Sequence, residues 1–183
     1  MRSRAMLKPT LARASPRSKV GDEMQISSMT ARDVDAVDKL AKECGFHIEA
    51  DKELARSFAR CWVARLHSDS LQPEAFILAW QAADELDVIA VGTATGARRR
   101  GLGRALVEWL LSYAVEVRVR RVILEVRCSN LAALNLYRSL GFQEGRVRED
   151  YYSEPTEDGI EMSREINEHA NAPSLGNEPC LEA

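Results

Sequence analysis

The chain has 183 residues, of which 45% are hydrophobic and 29% are charged, and this length and composition suit one globular domain with a sizeable core. No uninterrupted apolar run approaches the roughly 18 residues that span a bilayer, so we expect a soluble protein without a membrane partner. The formal net charge of −3 argues against a protein that coats nucleic acid through its overall field.

The spacing of cysteine and histidine gives no sign of a disulfide framework or a metal site. The chain has four cysteines and three histidines, without a CxxC pair or a ligand spacing that suits zinc. The cysteines are Cys44, Cys61, Cys128 and Cys180. We therefore expect reduced thiols, no bound metal and a cytoplasmic protein.

The two ends of the chain differ in composition from the middle. Residues 1–23 carry six basic residues before the first acidic residue, Asp22, and are rich in Ser, Pro and Thr, which predicts a disordered extension. A targeting segment, a tail and an upstream start are all compatible with this composition. Residues 166–183 are polar and broken by Pro and Gly, which predicts a disordered tail after a single domain at 24–165.

The sequence pattern in the first part of that domain, residues 24–66, predicts short strands and two helices. The segment MQISSM (24–29) predicts a strand, and Thr30 with Asp33 resembles a capping box ahead of a first helix. Asp51 is expected to cap a second, shorter helix, and CWVARL (61–66) is typical of a strand.

Two β-prone runs come next, EAFILAWQAA (74–83) and ELDVIAVGT (85–93). Only Asp84 separates them, which predicts a tight antiparallel pair. At Gly101 the hydrophobic period changes, and the apolar residues that follow fall on one stripe of a helix. The stripe consists of Leu102, Ala105, Leu106, Trp109, Leu110, Tyr113, Ala114 and Val117.

The second half continues with a strand and a helix. RVILEV (121–126) is almost entirely apolar and β-branched, which predicts a strand buried on both faces. SNLAALNLYRSLGF (129–142) predicts a helix with Asn130 as its N-cap. Strand, helix, strand, helix in this order predicts an α/β fold with a parallel strand pair. Two further strands are expected at 142–152 and 159–166, with a polar loop between them at 153–158.

Three consecutive arginines precede two glycines in GARRRGLGRAL (96–106), where a predicted strand gives way to a helix. Such a turn exposes free backbone N–H groups at the positive end of the helix dipole, and glycine lets a pyrophosphate approach the backbone. Arg98, Gly101 and Gly103 fit an R-x-x-G-x-G pyrophosphate turn. No Lys follows the glycines as a Walker A loop requires, and Leu106 stands where a Rossmann fingerprint has its third glycine. A solvated turn without a ligand is the alternative.

Together with the β-prone runs before it and LEVRCSNLAALNLYRSLGF (124–142) after it, this turn resembles the GNAT superfamily of N-acetyltransferases over about residues 24–165. The resemblance implies a mixed central β-sheet with a splayed parallel strand pair flanked by helices, and acetyl-CoA as co-substrate. The segment 124–142, followed by REDYY and DGIEM, is similar more narrowly to the ribosomal-protein-alanine N-acetyltransferase branch, which acetylates protein N-terminal α-amines.

Two residues are the candidate catalytic groups. Glu125 stands near the C-terminal end of an otherwise apolar strand, where ligands of parallel α/β units gather and where burial can tune a carboxyl group as a base. A Glu turned to solvent or paired with Arg127 is the alternative. Tyr137 can donate a proton to a leaving thiolate, and core packing is its alternative. In the resembling branch the matching Glu is the proton acceptor and the matching Tyr is the general acid.

The resemblance also implies a set of residues that bind acetyl-CoA. Val91, Gly92 and Thr93 match the strand segment that holds the pantetheine arm through its backbone, and a glycine there is compatible with a bulge that splays the strand. Asn130 is expected to contact the cofactor besides capping its helix. The pyrophosphate turn contributes Arg98, Arg99, Arg100, Gly101, Leu102, Gly103 and Arg104. The sequence departs from the usual family pattern at two places. It has VGT (91–93) where IAV is common, and the following segment, ATGA (94–97), lacks the usual Pro before the arginine turn.

The acceptor implied by the resemblance is a protein N-terminus, including that of a ribosomal protein, with transfer directly from acetyl-CoA in a ternary complex and without nucleic acid. Tyr151 and Tyr152 lie where the family shapes the acceptor site, with cross-strand packing as their alternative. A GNAT enzyme that acetylates a small amine or lysine, and a non-catalytic module that binds acetyl-CoA or the ribosome, are the other functions compatible with the sequence.

Overall fold

The computed structural model of the protein describes residues 24–67 and 70–166, so the expectations for residues 1–23 and 167–183 lie outside the described residues. The described chain is a mixed α/β domain of seven strands and four α-helices. In chain order these are β1 (Gln25–Ser28), α1 (Val34–Glu43), α2 (Ala50–Ala55), β2 (Ala59–Arg65), β3 (Ala75–Ala82), β4 (Glu85–Thr93), α3 (Leu102–Glu116), β5 (Arg121–Arg127), α4 (Leu131–Ser139), β6 (Gln143–Ser153) and β7 (Thr156–Glu165).

All seven strands form one sheet in the order β1-β2-β3-β4-β5-β7-β6. Its neighbouring strands are antiparallel except for β4 and β5, which are parallel. Helix α3 connects these two strands, as a parallel pair requires a crossover. The predicted α/β class with a parallel pair flanked by helices is therefore confirmed. None of the helices in the described ranges is long and apolar enough to cross a membrane.

One hydrophobic cluster lies on each face of the sheet, and the two differ in how many strands they cover. The larger one joins α3 and α4 to the sheet through residues such as Leu106, Leu124 and Leu134. The second joins α1 and α2 to β2, β3 and β4 and includes Val37 and Phe76. Because α1 and α2 stop at β4, this second face of the sheet lies open over β5, β7 and β6.

The open face corrects the expectation that β5 is buried on both sides. Val122, Leu124 and Val126 are buried under the helices, whereas the alternate residues are only half-buried. Those alternate residues are Arg121, Ile123, Glu125 and Arg127. The strand has a closed apolar face and an open, mostly charged one.

Pairing between β4 and β5 is short. It runs from Glu85 opposite Arg121 to Val88 opposite Leu124, and then stops. On the other edge of β4, Leu78 pairs with Ala90 but Ala79 pairs with Val88, so Ile89 is the extra residue of a β-bulge. The bulge bends β4 away from β5 and leaves a gap between residues 89–93 and 125–127.

The bulge thus lies at Ile89 and not at Gly92, where the glycine had suggested it. At Gly92 the requirement for glycine comes from close packing rather than from a bulge. A Cβ built on it would lie 2.3 Å from the Phe76 ring and 3.1 Å from the Cys44 sulfur. Glycine therefore lets the buried Phe76 ring pack directly against the β4 backbone.

Two element boundaries also differ from the expectations. Strands β6 and β7 pair down to Ser153 opposite Thr156, so a two-residue turn replaces the expected polar loop at 153–158. The second helix begins at Ala50 with Glu49 at its N-cap position, two residues earlier than a cap at Asp51 would place it. The Thr30–Asp33 capping box is present as expected.

Replacing Gly92 with Ala should lower the free energy of unfolding by about 1–3 kcal/mol, because the new methyl group overpacks the Phe76 contact. Urea denaturation of the purified protein measures this. Gly96→Ala is the matched control, since a Cβ at Gly96 meets no heavy atom within 4 Å and its change should stay within about 1 kcal/mol. Equal unfolding midpoints for the two variants would contradict the packing role.

Candidate active site

The arginine–glycine turn connects β4 to α3 through a strained backbone. A short 3₁₀ turn, Thr95–Ala97, leads into Arg99 at φ +62° and Gly101 at φ +86°, and α3 begins at the next residue. The first hydrogen bond of α3 is donated by Ala105 N–H to Gly101 O at 2.9 Å. Within the part of the chain that the structure describes, the N–H groups of residues 99–104 donate to no protein acceptor. Free N–H groups at the N-terminus of a helix carry partial positive charge.

The side chains around this turn are cationic. No acidic residue occurs between positions 94 and 107. Arg98 donates from Nε to the Thr93 carbonyl at 3.3 Å, and Arg104 donates from Nη2 to Ser139 Oγ at 2.6 Å. Arg99 and Arg100 are exposed. The arginines therefore surround the free N–H groups with positive charge in a chain that is acidic as a whole.

The edge of β4 that faces the gap carries free backbone groups. Ala94 N–H donates to Glu74 O at 2.8 Å, on the β3 side of the strand. Backbone groups alternate in direction along a strand, so those of Gly92 also point to β3, and those of Val91 and Thr93 point into the gap. The Thr93 carbonyl already accepts hydrogen bonds from Arg98 and from Cys44 Sγ. Val91 is left with an N–H and a carbonyl facing the gap.

Glu125 lies on the open face of β5 and its side chain is 18% exposed. Its Oε1 accepts a hydrogen bond from Arg148 Nη1 at 2.6 Å. Directly opposite on β7 stands Glu161, which accepts a hydrogen bond from Arg146 Nε at 3.2 Å. The alternative partner considered from the sequence, Arg127, is bound elsewhere. Glu125 is thus held in a groove of carboxylates and arginines.

Arg148 reaches Glu125 across β7 because Gly159 stands between them. In the sheet register Gly159 lies opposite both Arg127 and Arg148, so no side chain separates β6 from β5 at this level. The register of β6 is irregular between Arg148 and Tyr152, and this lays Tyr151 over the glycine, where a Cβ would lie 2.9 Å from its Cδ1. The Arg148 guanidinium stacks 4.3 Å from the centre of the Tyr151 ring.

A third carboxylate, Asp87 of β4, faces the same groove. Partial burial, and next the charge of Glu125, raise its pKa, while Arg148 opposes this. Sequence reasoning missed Asp87 and Arg148. Their contributions arise from strands that are distant in the sequence, and no local motif marks them.

Tyr137 lies on the other side of the sheet, in the cluster under α3 and α4. It is 7% exposed, and its ring packs 5.7 Å from that of Phe142. Burial, and next the proximity of Tyr152, raise the pKa of Tyr137 to about 12. Burial, Tyr151 and then Glu125 raise the pKa of Tyr152 to about 12 as well. Tyr152 therefore lies within electrostatic range of both candidate catalytic residues.

Arg127 of β5 holds the turn of the β6–β7 hairpin through several hydrogen bonds. It donates to the carbonyls of Glu154 and Pro155 at 2.9 and 3.0 Å and to Glu157 at 3.2 Å, and its guanidinium lies 4.2 Å from the centre of the Tyr152 ring. Glu157 in turn accepts the Ser129 N–H at 2.6 Å, which lowers the pKa of Glu157. The hairpin and the start of α4 are tied together through these bonds.

Asn130 is the N-cap of α4, as the sequence predicts. Its Oδ1 accepts a hydrogen bond from Ala133 N–H at 3.1 Å. The amide nitrogen of this exposed side chain is not needed for the cap, so it is available to a ligand.

The sequence of the chain matches a known protein family and curated relatives. The sequence profile of the Acetyltransferase (GNAT) family matches residues 34–142. The [ribosomal protein bS18]-alanine N-acetyltransferase of Escherichia coli K12 is 42% identical over 87 residues, which are 48% of this chain and 57% of that protein. The chain therefore matches just over half the length of this curated relative.

Solved structures show the same fold. The crystal structure of the Escherichia coli ribosomal-protein-S18-alanine N-acetyltransferase superposes with a TM-score of 0.71 at 27% identity, covering 85% of this chain and all of that one. Arabidopsis thaliana NAA60 in complex with acetyl-CoA superposes with a TM-score of 0.69 at 17% identity, over 79% of this chain and 99% of that one.

Replacing Tyr137 with Phe should remove one phenol that ionises at about pH 12 from the alkaline titration of the folded protein. Because burial raises this pKa above the ordinary value of about 10, the group stays protonated throughout the neutral range. Tyrosinate absorbance measures the ionisation, and the difference between wild type and variant isolates Tyr137. A difference curve with its midpoint near 10 would contradict the burial of this hydroxyl.

Proposed function

This chain belongs to the Acetyltransferase (GNAT) family, and we propose that it transfers the acetyl group of acetyl-CoA to the N-terminal α-amine of a protein, with a ribosomal protein as the acceptor. The observation that carries this proposal is the gap between β4 and β5. It opens beside the cationic N-terminus of α3. Glu125 stands on the strand that borders it, and Tyr137 lies in the buried cluster on the opposite face of the sheet.

The residues around the gap suit acetyl-CoA as a co-substrate. Six consecutive N–H groups, at 99–104, and the arginines beside them match a pyrophosphate in charge and in hydrogen-bond direction. The space beside Gly101 is open, since a Cβ there would meet no heavy atom within 4 Å. Val91 offers an N–H and a carbonyl along the gap, which suit the amide groups of a pantetheine arm. When bound, this co-substrate supplies the thioester whose carbonyl carbon is attacked.

Glu125 suits the role of base. An N-terminal α-amine has a pKa of about 7.7–8.0, so at neutral pH it arrives mostly as an ammonium and must lose a proton before it can attack. Arg148 occupies Oε1 of Glu125, and Oε2 accepts the amine proton, directly or through a water molecule. As the nitrogen–carbon bond forms, this first proton passes from the carboxylate to solvent. As the carbon–sulfur bond breaks, the nitrogen loses its second proton and the departing sulfur gains one, so the acid that protonates the sulfur is restored and one proton is released overall.

Tyr137 suits the role of acid. Its pKa of about 12 keeps the phenol protonated at neutral pH, so it can donate a proton or a hydrogen bond to the departing sulfur. Acid and base lie on opposite faces of the sheet, so the proposed mechanism requires the thioester to lie in the gap between β4 and β5, within reach of both.

The open groove suits a peptide N-terminus as the acceptor. Its carboxylates attract an ammonium group, and the Arg127-anchored hairpin brings Tyr151 and Tyr152 to its rim. The Escherichia coli relative is a [ribosomal protein bS18]-alanine N-acetyltransferase, which supports a small N-terminal residue as the acceptor here too. Direct transfer requires no acyl-cysteine, and Cys61, whose pKa burial raises to about 12, is unsuited to such a role.

Acetyl-CoA turnover should be observed with a peptide that begins with alanine and should be absent with the same peptide blocked at its N-terminus. Mass spectrometry of the product locates the added acetyl group. Peptides whose only free amine is a lysine, together with polyamines and aminoglycosides, complete the panel. Preference for one of these would replace the protein acceptor by a small amine or lysine, and bound acetyl-CoA without any turnover would indicate a binding module.

Glu125→Gln and Tyr137→Phe should each lower kcat by about a hundredfold or more, because each removes one proton transfer, while the Kd for CoA stays within about twofold. Steady-state kinetics and calorimetry measure the two quantities. Matched controls are Glu116→Gln at the exposed end of α3 and Tyr113→Phe, whose hydroxyl bonds Arg60 and Gln81 away from the gap. Unchanged kcat in both site variants would overturn the assigned roles.

A further inference from the structure

The C-terminal end of α1 is bonded to the segment that leaves β4. Glu43, the last residue of α1, accepts the Thr95 N–H on Oε1 at 2.8 Å. The next residue, Cys44, donates from Sγ to the Thr93 carbonyl at 3.6 Å. The last residue of α1 and the C-cap residue that follows it therefore hold the chain immediately before the arginine–glycine turn.

Glu43 caps the 3₁₀ turn from another element. Thr95 is the first residue of the turn Thr95–Ala97, and the residue at its N-cap position is Ala94, which has no side-chain oxygen. Glu43, 52 residues away in sequence, accepts the N–H of Thr95 itself, whereas an N-cap side chain would accept that of the second or third residue. The side-chain and backbone hydrogen bonds of Thr95 lower the pKa of Glu43, because such bonds favour the carboxylate form.

We propose that Glu43 is a positioning residue for acetyl-CoA: by capping the Thr95–Ala97 turn from α1, it sets the path of the chain into the N–H groups at 99–104. Only Arg98 separates the capped turn from the first of these groups, and Arg98 is itself bonded back to the Thr93 carbonyl. A pyrophosphate needs several N–H groups to converge on it, so a displaced turn loses more than one hydrogen bond. This inference rests on the proposed function of the turn.

The charge of Glu43 and its hydrogen bond have opposite consequences for binding. As an acceptor, the carboxylate orders the turn. As an anion close to Arg98, it reduces the positive potential that a pyrophosphate would meet. A glutamine keeps the acceptor oxygen and removes the charge, so it separates the two effects.

Glu43→Ala should raise the Kd for CoA by about three- to tenfold, the usual range for a lost cap, and leave kcat at saturating acetyl-CoA unchanged. Glu43→Gln should keep the Kd within about twofold of wild type. Glu116→Ala is the matched control, because Glu116 is likewise the exposed last residue of a helix. Titration calorimetry with CoA gives the Kd, and circular dichroism verifies that each variant is folded.

Thr95→Pro tests whether Glu43 acts through its hydrogen bonds to Thr95. Proline removes both the N–H and the hydroxyl and suits the first position of a helical turn, and Ala94, at ψ 139°, already has the extended conformation that a residue before proline adopts. Thr95→Pro should bind CoA within about twofold of wild type. In that background, adding Glu43→Ala should change the Kd no further.

The outcomes separate this inference from the proposed function. If the wild-type protein does not bind CoA, the proposed function fails. If wild type binds CoA and Glu43→Ala binds it as well as Glu116→Ala does, the positioning role is refuted while the function stands. If Glu43→Ala weakens binding equally with Thr95 and with proline at that position, Glu43 does not act through the turn and the inference is wrong.

Discussion

The early end of the pairing between β4 and β5 is the constraint on which the site depends. At the closed end of the pair, Glu85 binds both Arg120 and Arg121 at 2.8 Å, and buried Leu86 and Val122 lie in register. At the other end the Ile89 bulge turns β4 away. Backbone groups in the gap then lack strand partners, and such groups need water or a ligand. In a fully paired sheet, these groups would be hydrogen-bonded to the neighbouring strand.

The uneven cover of the sheet determines which chemistry each face can hold. Helices α3 and α4 bury one face, where an uncharged phenol such as Tyr137 is tolerated. The open face of β5, β7 and β6 carries charge instead. Glu125 and Glu161 stand directly opposite each other, an arrangement that is unfavourable for like charges. Arg148 and Arg146 of β6 offset this repulsion, and the missing side chain of Gly159 lets Arg148 reach that far.

Elements whose ends are encoded locally could be predicted from the sequence nearly to the residue. Gly101, at φ +86°, starts α3, and Asn130 caps α4, because a left-handed backbone and a side-chain oxygen are properties of single residues. The bulge at Ile89 has no such signal, since it arises from the register with β3. The contacts of Arg148 and Glu43 join residues 23 and 52 positions apart, and they depend on strand order and on which helix covers which strand. The openness of β5 was missed for the same reason, because its apolar composition does not say where α1 and α2 end.

The balance of charge in the open groove bears on how an amine would lose its proton there. Three carboxylates, those of Asp87, Glu125 and Glu161, share the groove with the guanidinium groups of Arg146 and Arg148. The carboxylates attract an ammonium, but a guanidinium bound to Glu125 disfavours a second positive charge beside it and so favours the neutral amine. Tight binding of the ammonium alone would stabilise the unreactive form. In the proposed role of Glu125 as the base, its pairing with Arg148 weakens its attraction for the ammonium, and the guanidinium favours the neutral amine, which is the form that can attack.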